Sequence, residues 1–113
     1  MTYASFTSDI VFGDTQPVIT PLITNEFTKE IRIVFRVGQL MKAHKTSFPI
    51  TVMIVSGSID FGVGEERYAL SAGDVVALEG NVVHDLNALE NSIVRLSLHK
   101  GDSVARVSGV LKL

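Results

Sequence analysis

The chain contains no cysteine and no tryptophan. The absence of cysteine excludes disulfide bonds, thiolate-bound zinc and a cysteine nucleophile. Positive charge is sparse as well, because lysines and arginines form no cluster larger than a pair and the net charge is -2. Binding to a nucleic acid backbone needs several clustered cations, so no nucleic acid partner is expected.

Long apolar runs are also missing. The longest stretch without a charged residue, residues 46–59, contains Pro49 and Gly57 and is too short to span a bilayer. Residues 1–10 lack the basic patch and the apolar run that a secretory signal requires. These features predict a cytoplasmic protein that does not enter a membrane.

The residues that are abundant favour β-structure. The chain has 113 residues, of which 46% are hydrophobic and 19% are charged, and this length suits one domain over residues 1–113. Valine, isoleucine and threonine supply 32 of the 113 residues, and branching at Cβ favours strands over helices. The composition therefore predicts an all-β protein.

The apolar pattern predicts about eight short strands. In residues 29–37, Ile31, Ile33 and Phe35 alternate with Arg32, Val34 and Arg36, which is typical of a half-buried strand. Residues 50–55 are apolar on both faces, as in a central strand. Residues 1–16 are expected to form an arm or a short edge segment, and no helix longer than two turns is expected. Further strands are predicted at 58–63, 67–70, 74–78, 82–86 and 92–99, with turns between them.

Glycines and histidines recur at set spacings in the middle of the chain: Gly38 precedes His44 by six positions, and Gly73 precedes His84 by eleven. This spacing resembles the two motifs of a small cupin. The first cupin motif runs from a glycine through two histidines and a glutamate to another glycine. The second runs from a glycine to a histidine that an asparagine follows. The sequence resembles the RmlC-like jelly-roll cupins over residues 32–98, through Gly38, His44, Gly57, Gly73-Asp74, His84 and Asn87. The resemblance implies a single-domain antiparallel jelly-roll barrel, with its core at about residues 17–100.

The metal ligands of the cupin motif are only partly present. The resemblance implies a divalent transition metal on His44 and His84, but the second histidine falls on Thr46 and the glutamate on Ile50. Zinc and non-haem iron sites generally need three protein ligands. The predicted metal site is therefore weak and incomplete. Substitute carboxylates could come from Glu30, Glu79 or Asp85, although Asp85 is expected to face away from its strand neighbour His84.

The first functional hypothesis is a small cupin that binds a small molecule in the barrel mouth. The pocket is expected to contain His44, His84 and Thr46, together with Lys42, which shares the face of His44 if that segment is extended. A lysine beside a histidine would suit an anionic ligand. In the alternative interpretation, Lys42 lies with Lys45 on a solvated rim loop. His99 is expected to be a surface histidine.

Two alternatives from other classes stay open. One is a metal-dependent isomerase or dioxygenase that uses His44 and His84, and the other is a metal-free module for dimerisation or regulation. A homodimer is expected because the mean hydropathy is +0.33 and monomers rarely expose large apolar patches. The pairing segments would be the N-terminal arm, with Phe6 and Phe12, and residues 104–113, with Val107 and Val110. The competing interpretation is that both ends fold back onto their own barrel.

Overall fold

The computed structural model describes residues 1–112 of the chain. This part of the chain contains nine strands and one short helix. Their bounds are β1 (Val18–Thr24), β2 (Thr28–Phe35), β3 (Leu40–His44), β4 (Ile50–Ser56), β5 (Ser58–Val63), β6 (Glu66–Ser71), β7 (Val75–Leu78), β8 (His84–Ala88), β9 (Ser92–His99) and α1 (Val104–Val110). No helix in residues 1–112 has the length and apolarity that a membrane crossing requires.

The strands form two antiparallel sheets in the jelly-roll arrangement that the sequence predicts. One sheet has the order β1-β2-β9-β4-β7 and the other has the order β3-β8-β5-β6. The two sheets face each other and are not closed into one continuous barrel. Their inward side chains form one apolar core, which includes Ile31, Ile33, Phe35, Ile54, Ile59, Phe61, Val94 and Leu98.

The predicted strand at residues 29–37 is observed as β2, but it is not half-buried. Its inward residues lie in the core, and outward Arg32 and Val34 are buried too. The reason is the N-terminal arm, which has no strand and covers this part of the sheet. The Arg32 guanidinium donates to the backbone oxygen of Ser8 at 2.8 Å, and Arg36 donates to that of Gly13 at 2.9 Å. Arginines thus hold the arm against the outer face.

The prediction that residues 104–113 form a pairing strand is wrong. Residues 104–110 form α1, whose first turn is capped by the Ser103 hydroxyl, which accepts from the Arg106 amide. Val107 and Val110 lie three positions apart on one helix face and are buried in the protein's own core. Seven valine-rich residues carry too little helical periodicity to be distinguished from a strand. Leu113 lies outside the described residues.

The homodimer stays a prediction, but residues 104–110 no longer support it. Of the two segments predicted to pair, α1 packs onto its own barrel, so only the N-terminal arm is left, where Val11 and Tyr3 remain exposed. We expect light scattering after size-exclusion chromatography to give twice the 12.3 kDa mass of one chain. A mass of 12.3 kDa at micromolar concentration would reject the dimer.

Candidate functional site

Two histidines meet between the sheets at one end of the fold, which we call the barrel mouth. His44 ends β3 and His84 begins β8, and these strands pair with His44 directly opposite His84. The two ring centres are 4.3 Å apart, and the rings meet edge to face at 60°. Phe61 of β5 stacks on the His84 ring, with the ring centres 5.8 Å apart. The jelly-roll pairing therefore places the two predicted histidines side by side.

A β-bulge in β3 decides which neighbours share the mouth with His44. The register shifts between Met41 and His44, so that both of these side chains face the cavity. Lys42 is exposed and does not line the cavity. Lys42 thus occupies the solvated position that was the alternative prediction and not the pocket position, because the bulge interrupts the strand alternation on which a face shared with His44 depends.

Backbone carbonyls fix the tautomer of both imidazoles. The Nδ1 atom of His44 lies 2.6 Å from the Lys42 carbonyl oxygen, and Nδ1 of His84 lies 2.9 Å from the Val82 carbonyl oxygen. A carbonyl oxygen can only accept, so each Nδ1 carries the proton. In the neutral rings the lone pair is then on Nε2. The mouth thus holds two Nε2 hydrogen-bond acceptors.

The histidines line a small, mostly apolar cavity that α1 covers. Eight of its eleven lining residues are apolar, and the polar ones are His44, His84 and Arg106. The space open to the centre of a water molecule is about 20 Å³, which suffices for roughly one water. His84 is 3% exposed and His44 is partly buried, so both imidazoles are largely shielded from solvent. A ligand larger than a water has to extend through the opening.

Arg106 is the functional candidate that the sequence reasoning missed. It projects from α1 and lines the same cavity as the histidines. Its Nε and Nη2 donate to the two carboxylate oxygens of Asp102 at 2.7 and 2.8 Å. The only available sequence signal was a capping serine followed three residues later by an arginine, because the site contact depends on where α1 packs.

Thr46 does not line the cavity but hydrogen-bonds to Asp102, the partner of Arg106. Its hydroxyl donates to the Asp102 carboxylate at 2.9 Å and accepts from the Phe48 amide. Thr46 and Asp102 are both buried. The predicted pocket residue Thr46 therefore helps to hold Asp102, and through it Arg106 and α1, against the mouth.

Asp85 and His99 lie outside the mouth, as the strand pattern predicts. The Asp85 carboxylate accepts from Arg67 at 2.8 Å in an exposed ion pair on β8 and β6. His99 is exposed and stacks on Phe48 at 5.1 Å. Its position makes His99 a suitable control for the two mouth histidines.

Both mouth histidines are expected to make stability depend on pH. Burial lowers the pKa of His44 and of His84, and the charge of Arg106 acts in the same direction. The unfolded chain therefore binds more protons than the folded one below the ordinary histidine pKa of about 6.5. The free energy of unfolding should fall as pH drops from neutrality towards about pH 5, by up to about 1.4 kcal/mol per pH unit for each histidine.

Urea unfolding at a series of pH values checks this, with His84→Gln as the variant that should flatten the slope and His99→Gln as the control. The ionised carboxylates of Glu30 and Asp102 also stabilise the fold, but this stabilisation is lost only at lower pH, where the carboxylates become protonated. Burial raises the pKa of each of these carboxyls, but hydrogen bonds outweigh it, chiefly from Arg95 and Arg106, and leave the pKa below its ordinary value. An equal slope in the wild type and His84→Gln would contradict the assignment.

The residues at the mouth do not fit a resident metal ion. In residues 1–112 no three histidine, aspartate or glutamate side chains are grouped as a metal site requires. The motif's glutamate position holds Ile50, which lines the cavity as an apolar side chain. Glu30 faces outward and pairs with Arg95 at 2.8 Å. The guanidinium of Arg106 would also repel a cation beside the two imidazoles.

Comparison with known proteins identifies the class that this fold and this site define. Residues 32–99, more than half of the chain, match the family described as the cupin domain. The chain belongs to the cupin family. None of the curated proteins compared with it matches significantly.

Solved structures with the same fold are distant in sequence. An RmlC-like cupin from Desulfovibrio desulfuricans superposes with a TM-score of 0.81 at 17% identity, over 88% of this chain and 97% of that one. A conserved protein of unknown function from Streptococcus pyogenes gives 0.75 at 19% identity, over 89% of each chain. A Ralstonia eutropha protein provisionally named a mannose-6-phosphate isomerase gives 0.76 at 17% identity, over 88% of this chain and 98% of that one. At such identities the likeness shows the fold alone.

Proposed function

We propose that this cupin binds a small hydroxyl-bearing molecule in the barrel mouth, without a resident metal ion. The observation that carries the proposal is the pair of neighbouring imidazoles whose Nδ1 atoms are tied to backbone carbonyls. Each ring is thereby left with an Nε2 acceptor. A ligand hydroxyl that donates to Nε2 is the complementary group.

The rest of the cavity supports the binding of an organic ligand. Apolar side chains from both sheets surround the histidines, among them Ile33, Leu86 and Leu96. Small-molecule sites generally combine such a lining with a few polar groups that fix orientation. The phenyl ring of Phe61 stacked on His84 holds that imidazole in place. The ligand's carbon atoms would pack against the apolar wall while its hydroxyl meets the imidazoles.

A metal-dependent isomerase or dioxygenase is the second candidate, and one observation favours it. Histidines that ligate metals commonly donate Nδ1–H to a carbonyl and present Nε2 to the ion, as His44 and His84 are able to do. Two nitrogens are fewer than the three protein ligands such sites need. The missing ligands and the guanidinium of Arg106 make the metal-free site the better-supported function.

Metal analysis of protein purified without an affinity tag separates the two candidates. We expect iron, nickel, zinc and manganese each at well below one per chain, with the same result for His44→Ala, His84→Ala and the control His99→Ala. Stoichiometric metal that disappears in both mouth variants but persists in His99→Ala would overturn the proposal and establish the metal site.

A binding measurement tests the proposed ligand chemistry directly. Glycolamide, a neutral molecule with one hydroxyl, is titrated into the full chain and followed by NMR. We expect weak saturable binding that His84→Ala reduces at least about fivefold, since it removes one hydrogen-bond acceptor, and that His99→Ala leaves unchanged. Equal binding by all three proteins would exclude the mouth as the site.

A further inference from the structure

We propose that the guanidinium of Arg106 binds a carboxylate of the ligand, so that the ligand class is a short 2-hydroxy acid. This inference rests on the proposed function, because the hydroxyl of the same molecule would be held by His44 and His84. It adds the charged half of the ligand and assigns it to a residue of α1.

The first support is the charge of the cavity lining. Arg106 is the only charged side chain among the eleven residues that line the cavity, and none of these residues is acidic. The position where the cupin motif carries a carboxylate holds Ile50 instead. A cavity with a cation and no lining carboxylate favours an anionic group. The positive charge at this mouth thus comes from the Arg106 side chain, where the complete cupin motif would hold a metal ion.

The second support is the set of hydrogen bonds that Arg106 still has to offer. Its Nε and Nη2 donate to Asp102, and Nη1 has no hydrogen-bond partner among residues 1–112. Because the guanidinium is planar and two hydrogen bonds hold one of its edges, the direction of the remaining N–H groups is fixed. Asp102 is therefore a positioning residue, and Nη1 is the donor for the ligand carboxylate.

The depths of the three polar residues set the orientation of the ligand. The Arg106 side chain is 27% exposed, so its guanidinium lies between the cavity and solvent. His84 is almost fully buried. A ligand carboxylate would therefore remain at the opening, where it stays partly hydrated, and the hydroxyl would enter the space of the one water. In a 2-hydroxy acid the hydroxyl is on the carbon next to the carboxylate, so only the hydroxyl has to enter the space that one water would fill.

Three probes of nearly equal size test the inference in the full chain near neutral pH. Glycolate carries both groups, glycolamide lacks the charge and acetate lacks the hydroxyl. We expect glycolate to bind at least about tenfold more tightly than glycolamide, since a charge-assisted hydrogen bond replaces a neutral one. Arg106→Gln should bring the glycolate affinity down to that of glycolamide while leaving glycolamide binding unchanged. Acetate should bind more weakly than glycolate and be insensitive to His84→Ala.

Asp102→Asn is the variant that separates binding from a structural role of the ion pair. It weakens the pair that Arg106→Gln abolishes but keeps the positive guanidinium, so glycolate should still bind more tightly than glycolamide, by a smaller factor than in the wild type because the guanidinium is less firmly positioned. If the pair only anchored α1, both variants would lose glycolate binding alike. Asp102→Asn remains a test even if Arg106→Gln does not fold. If folded Asp102→Asn bound glycolate no more tightly than glycolamide, the inference would be contradicted.

The outcomes distinguish this inference from the function on which it rests. Equal affinities for glycolate and glycolamide in the wild type, both reduced by His84→Ala, would overturn the role of Arg106 and leave the proposed function intact. No binding of any of the three probes would overturn both.

Discussion

Replacement of Gly57 by alanine is expected to lower the free energy of unfolding by about 3 kcal/mol. Gly57 joins β4 to β5 with φ at +85°, a conformation that strains any residue with a Cβ atom. An added Cβ would also lie 2.8 Å from the Cα of Ser92. Ser92 is buried and bonds the amide and carbonyl of Ser58, so it cannot move aside.

Gly73→Ala is the matched control for this prediction. Gly73 has φ at +95°, but a Cβ there meets no atom within 4 Å. Only the backbone strain is added, so the expected loss is about 1 kcal/mol. Urea unfolding of both variants measures the difference. Equal losses would show that the close approach of Ser92 does not constrain the turn.

Asp102→Ala is expected to destabilise the protein by about 2 to 3 kcal/mol and to loosen α1. The buried carboxylate accepts from Arg106, from Thr46 and from the Ser103 amide, and the Lys29 ammonium donates to the backbone oxygen of Asp102. Alanine leaves the Thr46 hydroxyl buried without its acceptor and frees the guanidinium. Amide hydrogen exchange should therefore accelerate in α1 more than in the sheets.

Asp60→Ala provides the comparison on the surface. Asp60 pairs with Arg67 at 3.1 Å, but the Arg67 side chain is 45% exposed and that of Asp60 is 31% exposed. Exposed ion pairs contribute little, so the expected loss is below about 1 kcal/mol with no effect on α1. If Asp102→Ala cost no more than Asp60→Ala, the buried network would not be what holds α1 over the mouth.

The fold and the central pair of the site could be predicted because they depend on local rules. Gly38, Gly57 and Gly73 all adopt positive φ values, which is why their spacing was informative. Strand alternation alone predicts that His84 faces inward and Asp85 outward. His44 and His84 were expected together because the motifs they share with cupins place them on neighbouring strands.

The remainder of the site depends on features that a sequence pattern does not contain. The bulge in β3 changes which residues face inward, and it removes Lys42 from the mouth. Arg106 reaches the cavity only because Val107 and Val110 pack α1 against the sheets. Such long-range packing leaves no short-range signal, so the sequence predicts Lys42 as the cation of the pocket whereas Arg106 lines the cavity.

The most direct test of the account is the state of the histidine ring nitrogens in solution. Long-range ¹H–¹⁵N spectra near neutral pH should show His44 and His84 as neutral rings protonated on Nδ1, because carbonyl oxygens lie beside these atoms. Addition of glycolate should shift their Nε2 signals and leave those of His99 unchanged. Rings protonated on Nε2, or Nε2 signals that glycolate does not move, would contradict a ligand site built on these two imidazoles.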